Sequence, residues 1–373
     1  MTRGRRYLVC VQGGHADGLR AVPYIRALRM ADPDAHIAVL AYAFVSELWA
    51  SCPYVDEFVA SGDDAVLGRG WTSRLKKIGR IAGLLPRTFR RYEVFLNLEV
   101  QAEGGFPGLF AMASAIPMRI GHGGARRGMN RSPGPADMRV PYEDRMRELM
   151  GVLGIEVTDD RLEAWCVAED RRRVREMLSP AGWRPNERIV VCHTGSDWSC
   201  QTWAPAAWVR VAKALIERHD LTVVFAGVAS EADRVEELAR RCGAGAVSLC
   251  GRTSFRELCA LLEMAELVIC NDTVVAPLAL AMGSTPITLV AFDTSNWGPS
   301  RLRELNALAH FEVEGPLPWS VRCHWNRIGR VHGCISESCV GLHGMGRIHS
   351  SEVLALAERV IQAPEPQLQV TGS

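Results

Sequence analysis

The chain has 373 residues, too many for one ordinary compact core, and this predicts two domains. Its 48% apolar and 23% charged residues are ordinary for a globular protein, and a net charge of +1 gives no global attraction to nucleic acid or membrane. No stretch approaches the roughly 18 apolar residues of a spanning helix, and the N-terminal run YLVCV is too short for a signal segment. Several of the twelve cysteines, such as Cys10, Cys192 and Cys270, sit inside apolar runs as small hydrophobes, so reduced thiols and a cytoplasmic location are expected.

In chain order, apolar β-branched runs alternate with helical patterns. Strands are predicted at RYLVCVQ, HIAVLAY, DEFVAS and YEVFLNLE, with helices over about 18–31, 44–52, 71–84 and 105–115. The first connection, VQGGHADGLRAVP, is glycine-rich, yet Gly13, Gly14 and Gly18 do not have the dinucleotide spacing. Asp17 stands where a phosphate would need positive potential. It has two readings: a helix cap, or a base at the carboxyl end of a strand, where open α/β sheets do their chemistry.

From Gly123 to Pro141 the composition predicts a loop, followed by helices over about 142–153 and 169–178 and a hinge at SPAGWRPNE. The second half repeats the alternation. Strands are predicted at RIVVCH, LTVVFAG, AVSLCG, ELVICND and TPITLVA, and helices near 205–219, 230–242, 254–265 and 275–282. Ser254 and Glu257 form a capping-box pattern. The expected class is α/β, with two doubly wound domains facing each other across a cleft. The expected boundaries are 1–178 and 179–362, with a disordered tail over 363–373.

Three connections in the second half follow strands. HTGSDWSCQTW offers Thr194, Gly195 and Ser196 to phosphate oxygens; AGVASEADR offers Glu231 to ribose hydroxyls; and CNDTVVAP places Asp272 and Thr273 before a helix. Each also reads as ordinary turn chemistry, and Glu231 as a carboxylate favoured by the helix dipole. Together, on one sheet edge, they point to a nucleotide site.

Over about residues 6–360 the chain resembles glycosyltransferase family 9, the heptosyltransferases. The resemblance rests on GGHADGLRAVPYIRALR, CPYVDEFV, HTGSDWSCQTWAPAAW, GRTSFRELCALLEMAELVICNDT and NWGPS. It implies a GT-B fold of two Rossmann-like domains, acceptor domain first and nucleotide-sugar domain second. It also implies an ADP-heptose donor, inversion at the sugar carbon, and no metal for transfer. Asp17, six residues before Pro23, takes the place of the family's catalytic base. The donor-binding positions fall on Thr194, Gly195, Ser196, Glu231, Arg252, Thr253, Asp272, Thr273 and Val274, and the first loop, with Gly13, Gly14 and His15, holds the acceptor. The sequence departs from the family where Gln201 replaces a lysine, Val274 a glycine and Pro277 a histidine. Losing the lysine removes a positive charge from the diphosphate side.

Between Trp71 and Tyr92 lie Arg74, Lys76, Lys77, Arg80, Arg87, Arg90 and Arg91 without an acid. The stretch reads as a solvated helix face or as a docking surface for an anionic acceptor or the inner membrane surface; Arg87, Arg90 and Arg91 are candidate acceptor contacts. Cys323, Cys334 and Cys339, interleaved with histidines, lack a C-x₂-C pair, which leaves them a weak metal candidate. The expected function is inverting transfer of a sugar, heptose from ADP-heptose, to a hydroxyl of a glycan, a protein or a small natural product. The alternatives are a catalytically weakened scaffold and a sugar-nucleotide epimerase on the same fold.

Overall fold

Apolar runs with β-branched residues form strands buried on both faces, which is what a parallel sheet covered by helices demands. The computed structural model describes residues 4–62, 71–99, 106–137, 140–185, 187–196, 202–289, 345 and 348–362. It contains two compact units, the first reaching Trp165 and the second starting at Cys166.

In the first unit, β1 (Arg6–Val11), β2 (His36–Ala41), β3 (Glu57–Ala60), β4 (Val94–Asn97) and β5 (Met118–Ile120) form one parallel sheet in the order β3-β2-β1-β4-β5. The strand order reverses between β1 and β4, which makes the crevice beyond their carboxyl ends the topological switch point. The connecting helices are α1 (His15–Ala31), α2 (Ser46–Ala50), α3 (Trp71–Thr88) and α4 (Phe106–Ala113), and α5 (Tyr142–Gly151) follows β5. One face of the sheet packs Leu8, Cys10, Leu40 and Phe95 against Phe106 and Phe110.

The second unit opens with α6 (Ala168–Leu178). This helix therefore packs with the second unit. The cause is a set of ion pairs to α9 (Phe255–Met264): Arg171 Nη2 to Glu263 Oε1 at 2.7 Å, and Arg256 Nη2 to Asp170 Oδ1 at 3.0 Å. The sheet runs β10-β9-β6-β7-β8, all parallel, from β6 (Ile189–His193), β7 (Thr222–Ala226), β8 (Ala246–Ser248), β9 (Ala265–Asn271) and β10 (Thr285–Leu289). Its switch point lies between β6 and β9. The other helices are α7 (Pro205–His219), α8 (Ala232–Cys242), α10 (Val275–Ala281) and α11 (Ser350–Gln362). The capping box at α9 forms as the sequence predicts: Ser254 Oγ accepts from Glu257 N at 3.2 Å, and Glu257 Oε2 accepts from Ser254 N at 2.7 Å.

The eight described cysteines are free thiols, and burial pushes Cys52 up to about 12 and Cys242 up to about 11. Among the described residues, no helix is long and apolar enough to cross a membrane.

Candidate functional site

Each sheet gathers polar residues at its own switch point. In the first unit, α1 begins at His15, three residues earlier than the apolar pattern predicts, with Gly14 as its N-cap. Asp17 is therefore the third helical residue and not the cap itself. Its Oδ2 reaches back to accept from Gly14 N at 3.0 Å. A side chain at Gly13 would collide with this carboxylate, which explains the glycine. Asp17 stays solvent-exposed, open to an incoming molecule. The His15 ring sits tilted against Phe44, centroids 5.8 Å apart; burial holds its pKa below the usual histidine range against the pull of Glu47, so the ring is neutral near pH 7.

Arg87, Arg90 and Arg91 lie elsewhere in the first unit than Gly13, Gly14 and His15. Arg6, the first residue of β1, donates through Nε to Arg91 O at 2.7 Å, and Arg91 lies 3.8 Å from Glu57 at the start of β3. These arginines sit at the amino ends of the strands, about 17 Å of strand away from Gly13. The physical reason is the crossover itself. Helix α3 leaves the carboxyl edge and returns the chain to the amino edge, so only its first half is near the level of the Gly13–His15 loop. Arg80, at the middle of the helix, lies against Gly62 just beyond β3.

In the second unit, Thr194, Gly195 and Ser196 follow β6, Glu231 follows β7, Arg252 and Thr253 follow β8, and Asp272, Thr273 and Val274 follow β9. One carboxylate ties three of these connections together. Glu231 accepts from Val228 N at 3.3 Å and pairs with Arg234 at 3.0 Å. It lies so close to Gly195 and Gly227 that a side chain at either would strike it. At Gly227 the same side chain would also meet Cys250 Sγ at 2.8 Å. Burial, then the Glu231 charge, push that thiol up to about 11. Gly251 (φ +70°) hydrogen-bonds Gly227 O at 2.9 Å, and a Cβ there would come within 2.6 Å of Ala229 Cα. Only glycine fits that left-handed, crowded position, and it carries Arg252, which is exposed.

At the switch point, Asn271 Nδ2 donates to Thr194 O at 2.8 Å and Gly195 O at 3.2 Å. Asn271 Oδ1 and Thr194 Oγ1 are buried without a hydrogen-bond partner among the described residues. Orphaned polar atoms of this kind are costly unless a ligand or water completes them. Val274 has φ −57° and ψ −19°, an ordinary helical geometry, so the glycine-to-valine departure costs no backbone strain. Thr273 Oγ1 accepts from Val275 N at 3.3 Å, which occupies one N–H at the start of the short α10. Trp203 is core: its indole N–H donates to Ile348 O at 2.9 Å, and its ring packs edge-on to Trp208 at 5.1 Å.

Sequence reasoning missed two residues here. Asn271 sits inside the motif that drew attention to Asp272, and its capacity to bridge two carbonyls was the available signal. Glu99 closes the strand run YEVFLNLE, and its significance depends on which strand β4 pairs with. Gln201, Cys323, Cys334, Cys339 and the 363–373 tail lie outside the described residues. Among the described residues, no group of three or more His, Cys, Asp or Glu could hold a metal ion.

A family model for glycosyltransferase family 9 (heptosyltransferase) matches residues 108–309. The crystal structure of a family 9 glycosyl transferase from Veillonella parvula DSM 2008 is similar at 16% identity and a TM-score of 0.74, covering 97% of this chain and 98% of that one. E. coli ADP-heptose lps heptosyltransferase II is similar at 16% identity and a TM-score of 0.67, covering 95% and 98%. E. coli heptosyltransferase WaaC with ADP-2-deoxy-2-fluoro heptose is similar at 15% identity and a TM-score of 0.58, covering 79% and 90%. No curated protein sequence matches the chain. At these identities the structural likeness is one of fold, an α/β architecture with GT-B-type glycosyltransferases as neighbours. The family match is independent of it and covers more than half of the sequence, so the chain belongs to glycosyltransferase family 9, the heptosyltransferases.

Proposed function

We propose that this glycosyltransferase transfers a sugar, heptose from an ADP-heptose-type donor, to an acceptor hydroxyl with inversion at the anomeric carbon. The observation that carries the reading is Asp17, an exposed carboxylate fixed by Gly14 N–H at the carboxyl end of β1. Asp17 takes the proton of the acceptor hydroxyl as its oxygen bonds to the anomeric carbon. The bond to the nucleoside diphosphate breaks on the opposite face, and the diphosphate leaves with the electron pair. Thr194, Gly195, Ser196, Asp272, Thr273 and Val274 serve the diphosphate, Glu231 the ribose, and Arg252 and Thr253 the base side. Gly13, Gly14 and His15 hold the acceptor, and the transfer itself calls on no metal.

Peripheral contact with the cytoplasmic face of an anionic membrane belongs to the same reading. Its support is the first half of α3, where Lys76 and Lys77 lie between the exposed Leu75 and Ile78, and the exposed Leu109 and Met112 on the neighbouring α4.

Calorimetric titration with ADP-heptose, beside a GDP-sugar and a UDP-sugar, tests the donor assignment. Asp17→Asn should bind donor as wild type does while kcat falls by roughly 10²–10⁴. Full activity in a folded Asp17→Asn protein removes the base. Gln201→Lys should tighten donor binding by roughly ten- to a hundredfold through a charge-assisted hydrogen bond. Wild-type protein that binds no nucleotide sugar is the scaffold outcome, and donor conversion without acceptor is the epimerase outcome.

A further inference from the structure

The first unit's switch point holds a second carboxyl that the catalytic reading does not use. β4 pairs with β1 in parallel register, Cys10 opposite Asn97, and the ladder continues with Leu98 N donating to Cys10 O at 3.1 Å. Asp17 and Glu99 therefore rise from the carboxyl ends of two adjacent strands whose order reverses between them, the place where such sheets bind ligands. The Glu99 backbone is held from below: Asn97 Nδ2 donates to Glu99 O at 3.2 Å. Next to it, Tyr142 donates its hydroxyl to Leu98 O at 3.4 Å, and the Arg20 guanidinium lies over the Tyr142 ring at 5.9 Å. Two polar atoms in this shell are buried without a hydrogen-bond partner among the described residues: Asn97 Oδ1, on a residue that is 4% exposed, and Arg20 Nε. A polar molecule entering the crevice would complete such a shell.

We propose that Glu99 and Asp17 form a paired-carboxyl acceptor subsite. Glu99 donates its carboxyl proton in a hydrogen bond to one acceptor oxygen, while Asp17 accepts from the hydroxyl being glycosylated. The acceptor class this fits is a polyhydroxylated compound presenting two neighbouring oxygens. The inference rests on the transfer reading and adds a residue and an acceptor geometry to it.

The protonation state supports the division of labour. Burial, and then the negative charge of Asp17, push Glu99 up to about 8, against the opposing pull of Arg127. Cys10, beneath in β1, is buried as a thiol and feels the Glu99 charge in turn. Glu99 is thus a neutral donor near pH 7, and as pH rises through about 8 it loses the donated proton and becomes a second anion beside Asp17. A general base and a protonated carboxyl at one site is how two like groups take opposite roles.

The test uses the full chain, ADP-heptose as donor and a whole-cell extract as acceptor pool, with label incorporation followed from pH 6.5 to 9.5. Wild-type transfer should decline above about pH 8. Glu99→Gln, a permanently neutral donor, should keep transfer within a few-fold of wild type near pH 7 and lose the decline. Glu99→Leu should lose transfer by roughly ten- to a hundredfold, since one hydrogen bond is removed and its partner oxygen is left unpaired. A decline that persists in Glu99→Gln, or a Glu99→Leu protein that matches wild type, overturns the proposal. A second measurement needs no substrate. With ¹³C-labelled glutamate carboxyls, one resonance should titrate near pH 8 in wild type and be missing from Glu99→Gln. A Glu99 midpoint in the ordinary carboxylate range overturns the pairing whatever the transfer assay gives. Wild type that transfers nothing withdraws the transfer reading and the subsite with it, whereas transfer indifferent to Glu99 removes only the subsite.

Discussion

Asn271 shows how much of the proposed donor site is built by residues that need not touch a donor. Its amide donates to two carbonyls of the connection after β6, and no other side chain type of that size presents two N–H groups at one end. Asn271→Ala leaves those buried oxygens without a donor and should cost about 1–3 kcal/mol of stability. Asn271→Asp should cost more than alanine, because a buried carboxylate would face two carbonyl oxygens. Urea unfolding of both variants checks the order. Alanine as the worse variant would mean that the contact is packing and not hydrogen bonding. Donor affinity should fall with both, since Gly195 is the position whose backbone the amide holds.

Helix α3 carries the clearest element-scale separation of roles, because its two ends lie at opposite edges of the sheet. If its first half contacts an anionic surface, Lys76→Glu with Lys77→Glu should lose about 1 kcal/mol per lysine in binding to phosphatidylglycerol-containing vesicles, roughly thirtyfold for the pair. Arg90, at the far end, is the comparison, and reversing it should change vesicle binding little. Co-sedimentation at two salt concentrations reads both, and equal losses at the two ends would remove the α3 face as the contact. The strands were legible in the sequence because continuous apolar runs bounded by turn residues admit few other readings. β5 was not, because a three-residue edge strand containing Arg119 carries no periodicity; that arginine is satisfied by Gly128 O at 2.8 Å and Ile116 O at 2.7 Å. The start of α1 was misplaced because Gly14 caps without a side chain, and the reach of Asp17 back to Gly14 is a three-dimensional fact. Neighbours in the proposed site were legible where one motif holds its own residues, as at Thr194–Ser196 and Asp272–Val274. They were illegible where strand adjacency decides, as for Glu99 beside Asp17.

At the scale of the whole molecule, the two units differ in how their described cores are assembled along the chain. The first is built from residues before Trp165. The second is closed by α11, which buries Val353, Ala357 and Ile361 against α7 and the β9–β10 side of the sheet. Trp203 holds the approach to this helix, and Glu358 pairs with Arg218 and His219, each at 3.2 Å. A chain ending at His349 should therefore keep the first unit protected and lose the second. Limited proteolysis mapped by mass spectrometry should show new cleavages between 166 and 289 and few before 165; an unchanged pattern would mean that α11 is dispensable. The same closure sets an order of events during synthesis. Trp165 and Gln362 are 197 residues apart, so at the usual elongation rates the ribosome takes roughly 10–40 s between finishing the first unit and delivering the helix that seals the second. Throughout that interval the nascent chain carries a folded first unit and an open second sheet, and the apolar face awaiting α11 is the surface on which a chaperone would act.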